Sequence, residues 1–88
     1  MTTPARLNRS FIYRSVQFSE FFANKGEGLP KHEHTYSHGT VCITGSCAIR
    51  KENKEIVLTP KDDAVNLVAN EWHEIEALEN NTIFVNME

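Results

Sequence analysis

The feature that most restricts this chain is its punctuation. Aromatic and β-branched residues fall into short runs at 11–13, 16–22, 41–43, 47–51, 55–58, 64–68, 72–77 and 82–87. Turn residues close the runs: Asn24-Lys25-Gly26, Thr44-Gly45, Glu52-Asn53-Lys54, Thr59-Pro60-Lys61-Asp62, Asn70-Glu71 and Asn80-Asn81. Short strands bounded by such clusters, with no helical periodicity, predict an all-β sandwich or barrel. Gly45 and Asn70 are the positions at which a left-handed backbone is expected, because glycine adopts it without cost and asparagine tolerates it. Residues 41–43 and 47–51 read as a hairpin around Gly45.

The chain has 88 residues, which is room for one domain. A chain this short buries only about 60–65% of its unfolded surface, so association is expected. A homodimer through the aromatic strand residues Phe18, Phe21 and Phe22 is one way to achieve it. Residues 1–10 are polar and read as a flexible N-terminal arm, leaving 11–88 as the domain. Arg6, Arg9 and Arg14 make that end mildly basic, but the net charge is −3. That balance offers no electrostatic footprint for nucleic acid. The first residues lack the apolar core of about 7–15 residues that a signal peptide needs. No apolar run is long enough to span a bilayer. A cytoplasmic protein without membrane partners is the expectation, and Cys42 and Cys47 should then stay reduced as buried small hydrophobes. The expected hairpin would bring these two cysteines near each other.

All four histidines sit where they can converge. His32, His34 and His38 lie within seven positions of one another, and His73 follows in a later strand. Side chains alternate faces along a strand, so His32 and His34 share a face, and His38 keeps the parity in a continuous strand. Two imidazoles at i and i+2 can grip one ion, and imidazole suits Zn, Cu, Fe and Ni. A polar strand with solvent-facing histidines is the other reading of the same spacing.

The stretch GEGLPKHEHTYSHGTVCITG, Gly26 to Gly45, resembles the first motif of the cupin superfamily, G-x5-H-x-H-x3-4-E-x6-G. Gly26, His32, His34, His38 and Gly45 keep its spacing, with His38 where the family usually has Glu. The second motif, G-x5-P-x-G-x2-H-x3-N, is matched more loosely by residues 62–77, DDAVNLVANEWHEIEA. There His73 falls on the histidine, Asp62 and Asn70 on the glycines, Val68 on the proline and Ala77 on the asparagine.

The resemblance implies a single small cupin, a jelly-roll β-barrel. It also implies a divalent transition metal (Mn, Fe, Ni or Zn) held by His32, His34, His38 and His73, with two neighbouring positions open. With His38 replacing a carboxylate, four neutral imidazoles leave the charge of +2 uncompensated. That favours anionic, chelating small molecules such as enolates, keto acids or acidic sugars. The implied activity is dioxygenase-like first, then isomerase or lyase chemistry. A non-catalytic, metal-dependent small-ligand binder or sensor is the alternative.

Parity makes further expectations. With His73 inward, Ile75 and Ala77 follow it, while Trp72, Glu74 and Glu76 face out. Glu33 should also point away, so no carboxylate is placed beside the ion and paired-carboxylate catalysis has little support. Cys42 shares the inward parity. Tyr36 is the one candidate catalytic side chain, through its hydroxyl, against its reading as an ordinary loop tyrosine. Ser37 and His38, as strand neighbours, face opposite ways and form no nucleophilic pair.

Overall fold

Strand alternation is what builds the interior. In a computed structural model, which describes residues 2–32 and 37–88 (the side chain of His32 excepted), ten strands form two five-stranded sheets. In chain order they are β1 (Thr3–Pro4), β2 (Arg6–Tyr13), β3 (Val16–Ala23), β4 (Glu27–His32), β5 (His38–Thr44), β6 (Cys47–Lys51), β7 (Lys54–Leu58), β8 (Val65–Leu67), β9 (His73–Ala77) and β10 (Thr82–Met87). The first sheet runs β1-β4-β9-β6-β7 and the second β2-β3-β10-β5-β8. Among the described residues every pairing is antiparallel except the short parallel contact of β1 with β4. The two sheets face each other as a small jelly-roll sandwich.

The period of two is plain in burial. Along β9, His73, Ile75 and Ala77 are buried while Glu74 and Glu76 are not; along β10, Thr82, Phe84 and Asn86 are buried. On β5 the inward set is His38, Thr40 and Cys42. The apolar core gathers Ala23, Cys42, Cys47, Ile49, Leu58, Leu67, Ile75, Ala77 and Phe84. Phe21 stacks on Phe84 with ring centroids 5.2 Å apart and closes one side of it. Outside the first sheet, Arg50 reaches Glu55, Glu74 and Glu76 at 2.8, 3.1 and 2.6 Å.

Two local expectations change. Residues 41–43 and 47–51 do not pair as a hairpin: β5 pairs with β10 and β8, and β6 with β7 and β9. The Thr44-Gly45 turn therefore carries the chain from one sheet to the other. Gly45 has φ +81°, and a Cβ there would collide with Thr82, so both backbone angle and space demand glycine. The second change concerns residues 3–10, expected to be loose. They enter both sheets, because Thr3 and Pro4 align with Glu27 and Gly28, and β2 pairs along β3. Asn70 does take the left-handed backbone, φ 63°.

Candidate metal centre

Two strands deliver two imidazoles to one point. His38 begins β5 in the second sheet and His73 begins β9 in the first, so the rings approach across the sandwich from opposite sheets. Both are almost fully buried, 3% and 1% exposed. Their Nε2 atoms are 3.4 Å apart, and the rings meet edge to face at 65°.

The other ring nitrogens are occupied by acceptors. Nδ1 of His73 donates to the carbonyl oxygen of Glu71 at 3.1 Å. Nδ1 of His38 lies 3.3 Å from the carbonyl oxygen of Gly39 and 3.5 Å from Oγ1 of Thr40. Thr40 spends its own proton on Oδ1 of Asn86, at 2.7 Å, which leaves its hydroxyl oxygen as an acceptor towards His38. A carbonyl accepts but cannot donate, so each Nδ1 carries its hydrogen and each Nε2 presents a lone pair.

The donor chemistry fits a metal. Nitrogens each about 2.1 Å from a common ion lie at most about 4.2 Å apart, and 3.4 Å falls within that limit. Anchoring Nδ1 on a carbonyl or hydroxyl is the usual outer-shell support of a metal-ligating imidazole. Thr40 and Asn86 are the supporting residues that spacing alone missed; their shared parity with His38 along β5 and across to β10 was the available signal.

His32 ends β4, and its backbone stands in register with that of His73 on β9. That places His32 on the strand next to one of the two imidazoles. The side chain of His32, and Glu33, His34 and Tyr36 entirely, lie outside the described residues. Among the described residues, no group of three or more His, Cys, Asp or Glu side chains comes within reach of one ion. Trp72 is half-buried, and its ring lies under Lys31 Nζ, 4.3 Å from the centroid. The cysteines stay in the dry part of the interior. Burial raises both thiols, Cys47 up to about 12.

With this architecture in view, the fold can be placed among known structures. A cupin-2 domain protein from Shewanella frigidimarina superposes on the whole chain with a TM-score of 0.75 and 15% identity, over 81% of its own length. KdgF from a Halomonas species matches 90% of this chain and 73% of its own, with a TM-score of 0.79 and 16% identity. A cupin 2 domain-containing protein from Halorhodospira halophila gives a TM-score of 0.81 and 20% identity, over 96% of this chain and 63% of its own. No family model and no curated protein sequence matches. The class is thus defined by shape: the chain has the cupin fold. Among the described residues no helix is long and apolar enough to cross a membrane.

Proposed function

We propose that the chain is a small metal-binding cupin in which His32, His34, His38 and His73 hold one divalent transition ion, drawn from Mn, Fe, Ni and Zn. The observation that carries this reading is the pair of buried Nε2 atoms 3.4 Å apart, each backed by an occupied Nδ1. A bound ion would supply Lewis acidity undiminished by any carboxylate ligand, which suits small anionic, oxygen-rich molecules. The chain's own part is to hold both imidazoles in one tautomer, through Glu71, Gly39 and the Thr40–Asn86 pair. Its second part is to keep the site dry, with Leu67 standing opposite His38 in the ladder.

The preferred activity is metal-dependent activation of such a substrate in the cytoplasm, with dioxygen-dependent cleavage first and isomerisation or elimination next. A second reading, a binder or sensor without turnover, has its own support. The described inward side chains of β5, β9 and β10 include no carboxylate to move a proton. The test is elemental analysis of protein purified without a nickel column, followed by oxygen-uptake assays on enolisable acids after loading with Fe, Mn or Ni. Uptake that disappears in His73→Ala supports the oxygenase. Stoichiometric metal and tight acid binding without uptake or product supports the binder. Absence of bound metal under every loading condition overturns both.

A further inference from the structure

Residues directly opposite each other in a strand pair share one side of the sheet, and along each strand the sides alternate. On β6 this rule gives Cys47, Ile49 and Lys51 to the inner face. The ladder with β9 sets Cys47 opposite Ala77 and Ile49 opposite Ile75, all four fully buried. It runs on to Arg50 opposite Glu74, so the next residues along, Lys51 and His73, come side by side facing the interior. An inward lysine needs a counter-charge, a ligand or both. The side chain of Lys51 is 17% exposed, too little for water to satisfy it as it does a surface lysine.

Its ionic partner is Glu71, with Nζ 3.2 Å from Oε1. That carboxylate oxygen is closed off from water, yet among the described residues it accepts no hydrogen bond. The contact is one of charge without alignment, which leaves the ammonium hydrogens undirected. Arg50, one residue earlier and facing out, shows the contrast: its guanidinium hydrogen-bonds to Glu55, Glu74 and Glu76. Glu71 also ties Lys51 to the metal centre, because its carbonyl oxygen accepts from Nδ1 of His73. Lys54, exposed, stands directly opposite Lys51 in the hairpin of β6 and β7. Like charges placed opposite each other destabilise a sheet, a cost that an anion between them relieves.

We infer that Lys51 sets the substrate class of the metal site: it receives a second carboxylate, carried by a small acid whose other oxygens face the ion. The inference rests on the metal-binding reading given above. An ion alone favours any chelating oxygen pair, whereas an ammonium beside it adds affinity only for molecules with a further negative group. Shielding from water keeps that attraction from being screened as a surface pair would be. Lys51 reaches from the strand next to that of His73, and adjacent strands lie about 4.8 Å apart. The acids that fit are therefore short, with the second carboxylate a few bonds from the chelating group, as in a hydroxy dicarboxylic acid.

The test is calorimetric titration of the intact chain, loaded with Mn or Ni and its metal content measured, with malate and with 2-hydroxybutanoate. Both probes chelate through a hydroxy acid, and they differ in a terminal carboxylate against a methyl group of similar size. Wild type should bind malate about tenfold or more tightly than 2-hydroxybutanoate, and Lys51→Met should bring the two within about twofold. Methionine keeps most of the buried stem without the charge, so metal content and 2-hydroxybutanoate affinity should hold at wild-type values. Lys51→Arg should retain the preference for malate. Circular dichroism establishes folding, and should Lys51→Met not fold, Lys51→Gln takes its place with the same expected result. A wild type that holds metal but binds neither acid, or both equally, overturns the role of Lys51 and leaves the metal site standing. So does a folded, uncharged variant that keeps the preference. A chain that takes up no metal overturns both readings.

Discussion

The interior of this sandwich has two halves that follow different rules, although the same strands run through both. At one end β5 and β9 contribute Cys42 and Ala77, which join Cys47, Ala23 and Phe84 in a dry apolar cluster. At the other end the same two strands contribute His38, Thr40 and His73, and β10 adds Asn86. The first half is held by area removed from water. The second buries polar groups that must be satisfied one by one. Stability should therefore reside mainly in the apolar half and ion dependence in the polar one.

The largest effect expected on that division is Phe84→Ala. Phe84 is fully buried and stacked on Phe21, so its loss should cost about 3–5 kcal/mol in chemical denaturation, with or without metal. A cost that depends on metal would break the division. His73→Ala should act in the opposite way. It should abolish the metal-dependent gain in unfolding free energy, about 2.7 kcal/mol at a metal concentration near 100 times Kd. The metal-free protein should lose much less. Thr40→Val removes the acceptor beside His38 without changing the shape of the side chain. Metal affinity measured by competition with a chelator should fall about tenfold, at the lower end of the range for outer-shell residues.

Cys47 sharpens the apolar side. Burial raises its thiol to about 12 from an ordinary value near 9, so the native state holds a proton that the unfolded chain releases first. The stability this contributes is complete below pH 9 and is lost as pH climbs towards 12. A denaturation series should show that decline in wild type and a shallower one in Cys47→Ala. Native protein at about pH 8 should also leave Cys47 unmodified by iodoacetamide over times that fully label the unfolded chain.

Much of this was legible in residue order, and the gaps have physical causes. Alternation placed His73, Ile75 and Ala77 inward and His38 with Cys42, since a strand's period of two leaves no other choice once one residue is assigned. The spacing of Gly26, His32, His34, His38 and Gly45 anticipated a cupin fold, and the architecture is one. The turn at Gly45 was misread because a glycine at positive φ serves a hairpin and a sheet-to-sheet crossing equally well. What separates them is the later partner β10, far away in sequence. Residues 3–10 read as loose because they are polar and their pairing is by backbone, which composition does not register. Among the aromatics offered for dimerisation, Phe18 does face outward, whereas Phe21 turns in onto Phe84.

The central claim is that His38 and His73 serve one ion, and anomalous diffraction at the absorption edge of the metal found by elemental analysis tests it most directly. The account predicts a single strong peak per chain lying between the two Nε2 atoms, about 2.0–2.4 Å from each. Metal-replete crystals whose peak lies elsewhere, or whose two imidazoles share only a proton, would contradict it.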